Sequence, residues 1–405
     1  MAHGNDSAAE RTGTETAALR GSNQSGMRAH NERLVLSLVR RDGALAKSDI
    51  ARITGLSAQT VSVIMRMLEA DGLLQRGEPI RGRIGQPSVP MSLAADGAFF
   101  YGLKIGRRSV DLVLVNLLGR VVGSRRRTYR YPDPGRVVRF VAEALPALSA
   151  TLAPTQRARI GGLGIAMPFQ LWNWVDHIDA PPGAMDAWRD RDIAAEISAI
   201  CDMPVLVQND ATAACGAELV FGTGDRPQDF LYFYIGYFIG GGLVLNGRLF
   251  SGRTGNAAGV GPMPVPGPDG RMHRLMTVAS LSTLADALTE AGADADQLWE
   301  SPEPWQIPPA LLSNWIAAAA EGLASATLSA ATLVEIDTVM IDGWLPADVR
   351  ARLVEETRSA FFRLDLAGVT PPAIREGTIG PQARELGGAA IPLSQRFLLD
   401  QPGMQ

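Results

Sequence analysis

Residues 54–62 read Thr54-Gly55-Leu56-Ser57-Ala58-Gln59-Thr60-Val61-Ser62. This segment predicts the local fold of the chain most directly. Gly55 lacks a β-carbon and can take the left-handed backbone of a tight turn. Ser57 is a favoured N-cap, so a helix is expected to begin directly after it. The apolar residues of that helix follow i, i+3, i+4, i+7 spacing and predict one buried face, formed by Val61, Ile64, Met65 and Leu68.

Two further helices are predicted before this turn. The first has apolar positions at Leu34, Val35, Leu38 and Val39. The second is expected to take Ser48 as its N-cap and to carry apolar residues at Ile50, Ala51 and Ile53. Short helices joined by a turn of a few residues predict a helix-turn-helix.

The outer face of the third helix carries small polar groups and one long cation. These residues, with the cap, are Ser57, Gln59, Thr60, Ser62 and Arg66. Such side chains reach base edges and phosphates when a helix lies in the major groove of DNA. Residues 75–87 then place Arg81 and Arg83 among glycines and prolines, which predicts a basic wing of two short strands. The alternative is a helical hairpin with a solvated polar face.

Charge is distributed unevenly along the 405 residues. Residues 1–25 carry a net charge of −1 and are expected to be a disordered arm, because they are polar and aperiodic. Residues 26–88 hold ten basic and six acidic residues, whereas the remainder of the chain is net acidic. A basic module before an acidic body is typical of a small DNA-binding domain attached to a larger one. Chance clustering is the alternative, since the excess is modest.

Residues 89–405 alternate short β-rich runs with helical stretches, which predicts an α/β domain. A turn at Leu118-Gly119 separates two of the runs and indicates antiparallel hairpins. The predicted strands are Phe99–Ile105, Val110–Asn116, a run from Val121, Ile160–Ile165, Val205–Gln208 and Phe230–Ile235. The predicted helices are 192–200, 211–220 and 309–334.

Cysteine use and hydrophobicity predict a cytoplasmic protein that does not span a membrane. Cys201 and Cys215 form no CxxC pair, so neither a disulfide framework nor a cysteine-rich zinc site is predicted. The first 25 residues lack the apolar core of a signal peptide. The longest apolar run, Phe230 to Leu245, is 16 residues with four glycines, and fits two buried strands better than a membrane span.

Three segments, in order, resemble the ROK family of bacterial sugar kinases and sugar-responsive repressors. Leu56-Ser57-Ala58-Gln59-Thr60-Val61-Ser62 resembles the DNA-binding module of the repressors. Val207-Gln208-Asn209-Asp210-Ala211-Thr212 resembles the family's asparagine–aspartate motif, and Gly242–Leu249 with Gly252, Gly255 and Asn256 resembles its glycine-rich region. The resemblance implies a winged helix-turn-helix followed by an actin-like, ribonuclease H-like domain of two lobes around a cleft near 209–210. In the wing, Gln86 stands where related repressors carry arginine.

Several residues that the kinases of this family need are replaced here. Lys104 stands where an acid should hold magnesium, and a lysine cannot ligate that ion. Arg107 replaces a glycine in the same turn. In the second phosphate turn, Tyr237 and Phe238 occupy positions where the backbone would have to approach phosphate closely. The pair of glycines on the adenosine side is reduced to Asp342-Gly343. The alternative is that Arg107 and Arg108 bind the phosphates of a nucleotide in place of the lost residues. We therefore predict no catalytic residues and no cofactor.

The family's zinc ligands are also replaced. Pro262 occupies the histidine position, Gly259 the preceding sugar-binding glutamate, and residues 269–280 hold no cysteine. His273 alone is not a metal site. No metal site is predicted.

Asn209 and Asp210 remain as candidate ligand contacts, together with Phe169 and Asn256. In the kinases this aspartate is the general base for the attacking hydroxyl. A carboxylate beside an amide is equally suited to hold vicinal hydroxyls, and Asp210 acting only as a helix cap is the alternative. Three aromatic residues could form a stacking wall or simply pack in the core, namely Phe169, Trp172 and Trp174.

The sequence thus favours a transcription regulator, most simply a repressor. Its expected partners are a double-stranded DNA operator, a sugar-like effector, and a second copy of the chain in a homodimer or homotetramer, because two half-sites increase affinity. Two alternatives remain open: a bifunctional sugar kinase that uses Asp210 as general base, and a constitutive DNA-binding protein whose cleft serves only for dimerisation.

Overall fold

The computed structural model describes residues 24–79, 89–169, 171–172 and 180–399. Its N-terminal part holds three helices and a two-stranded antiparallel sheet. They are α1 (Gln24–Asp42), α2 (Lys47–Thr54), α3 (Ala58–Ala70), β1 (Leu74–Arg76) and β2 (Met91–Leu93). This is the winged helix-turn-helix predicted from the sequence, although α1 already begins at Gln24, inside the predicted arm.

The turn before α3 has the predicted chemistry. Gly55 has φ 71° and ends α2, and the Ser57 side chain accepts a hydrogen bond from the Thr60 backbone N–H at 3.1 Å. The four apolar residues of α3 are buried as predicted. The predicted N-cap of α2 is wrong: α2 begins at Lys47 after an uncapped Ala46, so Ser48 lies within its first turn.

The next part of the chain forms the first lobe. Its elements are β3 (Phe99–Ile105), β4 (Ser109–Asn116), β5 (Val121–Thr128), α4 (Pro134–Ser149), α5 (Pro154–Arg157), β6 (Ile160–Met167), α6 (Ile193–Ser198), β7 (Val205–Asn209) and α7 (Asp210–Phe221). The sheet order is β5-β4-β3-β6-β7, with three antiparallel strands followed by two parallel ones. The predicted hairpin at Leu118-Gly119 joins β4 to β5.

The second lobe repeats this topology. Its elements are β8 (Phe230–Ile235), β9 (Gly240–Leu245), β10 (Arg248–Phe250), β11 (Pro264–Pro266), β12 (Met272–Arg274), α8 (Met276–Ala279), α9 (Leu281–Glu290), α10 (Gln297–Glu300), α11 (Pro309–Leu333), β13 (Thr338–Gly343), α12 (Ala347–Phe361), β14 (Ala373–Glu376) and α13 (Ala383–Phe397). The sheet order is β10-β9-β8-β13-β14, again three antiparallel strands and then two parallel ones. Two copies of this sheet form the actin-like fold.

Helix α13 returns from the second lobe and lies directly on the first. A β-carbon at Gly102 of β3 would lie 1.9 Å from the Glu385 carbonyl oxygen, and one at Gly164 of β6 would lie 2.0 Å from that of Gly388. A β-carbon at Gly387 would meet the backbone of α7 at Ala213 just as closely. These glycines allow α7, α13 and the first sheet to pack with backbones almost in contact.

The helix-turn-helix and the first lobe share one hydrophobic core. Val35 and Val39 of α1 and Leu68 of α3 belong to the same buried cluster as Phe100 of β3 and Leu393 of α13. Polar contacts reinforce the junction, since the Ser37 hydroxyl accepts from the Leu399 backbone N–H at 3.0 Å. The DNA-binding module is therefore packed against the rest of the chain.

Helix α11 is long and apolar enough to cross a membrane by length and composition alone. Its residues Trp315, Ile316 and Leu323 are buried in the core of the second lobe, and it packs along α12. Its apolar sequence is accounted for by this core position.

Candidate functional site

The outer face of α3 carries the residues predicted to read DNA. Gln59 and Arg66 are exposed, and Thr60 and Ser62 are half-buried. The hydroxyls of Ser57 and Thr60 lie 2.8 Å apart, so the cap already engages Thr60. Gln59 and Arg66 are thus the most accessible of the predicted contacts.

Two residues of this surface were missed by the sequence analysis. The Lys47 ammonium group, at the first position of α2, donates to the Ser62 hydroxyl at 3.3 Å and adds a cation beside the polar face. Val63 on α3 is 42% exposed. It lies outside the apolar spacing of that helix, so it does not belong to the buried face. An exposed apolar side chain here is suited to contact the methyl group of a thymine. In the sequence, a valine outside the apolar spacing and next to Ser62 was the signal for this contact residue.

The wing is described only at its base. Strands β1 and β2 pair in antiparallel register, with Leu74 opposite Leu93 and Arg76 opposite Met91. The predicted contacts Arg81, Arg83 and Gln86 lie outside the described residues. Their DNA-binding role therefore stays a prediction.

The two residues of the asparagine–aspartate motif have different partners. Asn209 ends β7, and its side-chain oxygen caps α7 by accepting from the backbone N–H groups of Ala211 and Thr212 at 3.1 and 3.2 Å. The alternative that Asp210 is the cap is therefore wrong. Asp210 instead lies 3.4 Å from the Arg384 guanidinium at the start of α13.

Phe169 and Asn256 lie on two loops that approach each other. The Phe169 ring lies 3.3 Å from a β-carbon built at Gly255, which places the loop after β6 against the glycine-rich loop. Asn256 is exposed, with its amide next to Gly259. Trp172 packs against the core of the first lobe, which agrees with the packing alternative, and Trp174 lies outside the described residues.

Lys104 is held in a buried network at the end of β3. Its ammonium group donates to the Asp111 carboxylate at 2.7 Å and to the Ser109 hydroxyl at 2.8 Å. Arg126 approaches the other oxygen of Asp111 at 3.5 Å. Burial alone would raise the pKa of Asp111, but Lys104 and Arg126 hold it below its ordinary value. Asp111 is therefore ionised and paired within the protein.

Cations of the first lobe reach aromatic rings of the second. The Arg107 guanidinium lies 4.6 Å from the ring centre of Phe238, and burial lowers the pKa of Arg107 to about 10. The Arg126 guanidinium lies 4.6 Å from the ring centre of Trp344 and donates to the Trp299 carbonyl at 3.0 Å. These contacts join the first lobe to the second.

Comparison with known proteins agrees with this architecture. Residues 100–276 match the ROK family, and residues 28–75 match a winged helix-turn-helix DNA-binding domain. The chain carries a ROK-family domain behind a winged helix-turn-helix. The solved ROK family transcriptional regulator described as a homologue of the E. coli MLC protein has TM-score 0.63 and 19% identity, and the match covers 92% of this chain and 96% of that one.

Curated relatives of the chain include regulators. The chain is 26% identical to the protein y4fQ of Sinorhizobium fredii over 91% of each chain. It is 23% identical to the xylose repressor of Bacillus subtilis over 58% of this chain. The match spans about 60% of that repressor's own length.

Asp342 and His273, two residues of the segments compared with the kinases' nucleotide and zinc sites, are each hydrogen bonded to other residues of the chain. Asp342 is fully buried at the end of β13 and accepts from Tyr232, Arg350 and the Gly380 backbone N–H at 2.8–3.0 Å. His273 hydrogen bonds to Asp269 at 2.7 Å on the surface. Among the described residues, no three His, Cys, Asp or Glu side chains gather as a metal site would require. The absence of structural zinc remains a prediction for metal analysis.

Proposed function

We propose that this protein is a cytoplasmic, sequence-specific repressor that binds operator DNA as a homodimer or homotetramer. Its ROK domain is proposed to release or retain the operator according to a sugar or polyol bound in the cleft. The DNA-binding surface is the outer face of α3 with Lys47 and the wing. The effector contacts are Asn209, Asp210, Phe169 and Asn256.

One observation carries this proposal: helices α7 and α13 both run from the cleft to the DNA-binding module. Helix α7 begins at Asp210 and ends at Phe221, whose ring lies 5.8 Å from the Arg40 guanidinium of α1. Its 12 residues span about 18 Å. Helix α13 begins beside Arg384 and is followed by Leu399, which donates to Ser37 of α1. These two helices are the proposed route by which a shift at the cleft reaches α1.

The pair between Asp210 and Arg384 is the proposed switch. At 3.4 Å it is longer than a strong charge-assisted hydrogen bond, and it joins the first residues of both helices. Sugar hydroxyls that donate to the Asp210 carboxylate would compete with Arg384. We infer that this competition moves α13 relative to α7 and, through them, α1.

The same contacts argue against the kinase alternative. Lys104 places an ammonium group where magnesium would need a carboxylate, and Asp111 is already neutralised by Lys104 and Arg126. The Asp210 carboxylate is paired with the Arg384 guanidinium at 3.4 Å, so a hydroxyl that donates to it must compete with that cation. We propose that the protein neither hydrolyses ATP nor phosphorylates sugars. Magnesium-dependent turnover that is abolished by Asp210→Asn would overturn this.

Two experiments test the proposed function in sequence. Selection from a random pool of duplex DNA by the full-length protein should enrich one motif with two-fold symmetry. Thermal-shift screening against sugars, polyols and their phosphates should then find a compound that stabilises the native protein but not Asp210→Asn. Failure to enrich any motif contradicts sequence-specific binding. Enrichment without any stabilising compound favours the constitutive DNA-binding alternative.

A further inference from the structure

A cavity of about 1030 Å³ opens where the DNA-binding module meets the ROK domain. Its walls come from α1, α7, α13, the edge strand β7 and the edge strand β10. The volume is in the range of small-molecule sites, which occur preferentially at domain interfaces. Among the described residues, its lining does not include Asp210 or the other proposed effector contacts. It is therefore distinct from the cleft.

Much of this junction cavity is apolar. Two of its large side chains are unusually accessible: Val207 is 41% exposed on β7, and Phe250 is 49% exposed on β10. Further apolar walls are Leu38, Leu219, Ile391 and Leu398. Covering this surface with a hydrocarbon group would remove apolar area from water and is favourable.

Two arginines give the cavity a cationic end. Arg40 of α1 donates from Nη2 to the Leu117 carbonyl at 2.6 Å, while its buried Nε has no acceptor. Arg226, in the loop after α7, donates to the Gly222 carbonyl at 2.9 Å. Burial, and then repulsion from Arg226, lower the pKa of Arg40 to about 10. Arg40 and Arg226 both line the cavity, and their like charges repel each other.

The neighbouring carboxylates are engaged elsewhere. Asp42 accepts two hydrogen bonds from Arg41 at 2.6 and 2.7 Å, although its charge also attracts Arg226. The Glu218 oxygens accept from the Thr378 hydroxyl and from backbone N–H groups. Asp225 points into solvent, 3.5 Å from Arg375. An excess of positive charge therefore remains at this end of the cavity.

We propose that the junction cavity binds an amphipathic organic anion, whose acidic group lies between Arg40 and Arg226 and whose hydrocarbon part covers the apolar wall. A carboxylate or a phosphate monoester would supply the acidic group. An anion there offsets the repulsion of the two half-buried cations and satisfies guanidinium donors. Because Arg40 belongs to α1, such a ligand ties the DNA-binding module to the end of α7. It provides a second input to operator affinity, separate from the cleft.

Calorimetric titration of the full-length protein tests this site without DNA or sugar, so its outcome is independent of the proposed repressor function. The probes are octanoate and octyl phosphate, with 1-octanol and inorganic phosphate as controls for the tail and the head alone. We expect one octanoate or octyl phosphate per chain and at least tenfold weaker binding of both controls. The tighter of the two anions identifies the preferred acidic group.

Two variants locate the binding. Arg226→Gln removes one cation, and Gln395→Trp fills the cavity from an exposed position on α13. Each should weaken anion binding about tenfold or more, as the loss of a charge-assisted contact or of space predicts. Arg363→Gln, which removes an exposed arginine far from the cavity, is the matched control and should bind as the native protein does. Thermal unfolding confirms that all three fold. Absence of binding, binding of 1-octanol equal to that of octanoate, or unchanged binding by both cavity variants overturns the proposal.

Discussion

Lys104 and Asp210 show how the partner of a charged residue decides its role. Lys104 stands in a turn where a kinase needs a metal-binding acid, and here it forms the centre of a buried ion pair with Asp111. Asp210 stands where a kinase needs a general base, and here it faces Arg384. The identity of Lys104 predicts that this turn holds no magnesium, and that stays a prediction. The partners were not predictable, because Asp210 and Arg384 are 174 positions apart.

Breaking the Lys104–Asp111 pair should destabilise the fold. We expect Lys104→Met to lower the free energy of unfolding by about 3 kcal/mol, because it leaves a buried carboxylate with fewer partners. Arg352→Met, which breaks an exposed pair with Glu356, is the control and should cost less than about 1 kcal/mol. Urea denaturation at neutral pH measures both. Equal effects would contradict the structural role of Lys104.

The same pair gives stability a pH dependence with a defined sign. The pKa of Asp111 is lower in the folded protein, so its contribution is present at neutral pH. It is lost as the pH falls below the ordinary aspartate value of about 4 towards the folded pKa. The stability difference between native protein and Lys104→Met should therefore shrink on acidification. A difference that grows instead would show that Asp111 is not ionised in the folded state.

Helix and wing contacts should differ in what they contribute to DNA binding. Gln59→Ala should relax discrimination at one operator position by about 1–3 kcal/mol, if Gln59 makes a bidentate contact to a base. Arg83→Ala should weaken binding to all sequences and reduce the salt dependence by roughly one unit of slope, if Arg83 neutralises one phosphate. Titrations on operator and scrambled DNA at several salt concentrations separate the two effects. The reverse pattern would mean that the helix and the wing have exchanged roles.

At the scale of elements, the sequence predicted the strands and helices that have strong periodicity or clear punctuation. The bounds of β3 and β8 agree with the prediction to the residue, and Gly55 and Ser57 have their predicted roles. Cap assignment was less reliable. Ser48 lies inside α2, because that helix begins two residues earlier than the predicted cap implies, with Ala46 at the N-cap position. Adjacent Asn and Asp residues at a helix start are equally good caps, and only the geometry distinguishes them.

The start of α13 should control the response to the effector. We expect Arg384→Gln to change operator affinity without any effector, in the direction in which the bound sugar changes it, because it releases Asp210 as the sugar is proposed to do. Arg396→Gln, near the other end of the same helix and exposed, is the matched control and should leave affinity unchanged. Fluorescence anisotropy with labelled operator measures both. Native affinity and a native effector response in Arg384→Gln would exclude the Asp210–Arg384 pair as the switch.

At the scale of the whole molecule, the repeated sheet topology followed from the family resemblance, but the shared core did not. The sequence suggested a separate DNA-binding module up to residue 88, whereas Val35, Val39 and Leu68 pack in one cluster with Phe100 and Leu393. Contacts between α1 and the end of the chain join residues more than 350 positions apart. Local patterning carries no signal for such pairs. The same limit applies to the Arg107–Phe238 contact between the lobes.

The shared core predicts that the two domains unfold together. Leu68→Ala, on the buried face of α3, should cost about 2–5 kcal/mol and lower the unfolding midpoint of the whole chain. Tryptophan fluorescence reports the ROK domain, which holds all of the tryptophans, and far-ultraviolet circular dichroism reports both domains. The two signals should shift to the same new midpoint. A tryptophan transition that does not move would show that the DNA-binding module unfolds independently.

A ligand in the ROK cleft is proposed to control operator affinity through Asp210. The most direct measurement is the affinity of the full-length protein for its selected operator, with and without the stabilising sugar or polyol, for native protein and for Asp210→Asn. We predict that the compound changes native affinity at least about tenfold, equivalent to 1.4 kcal/mol, and leaves Asp210→Asn unchanged. Equal responses of the two proteins, or no response of the native protein to a compound that stabilises it, would contradict the claim.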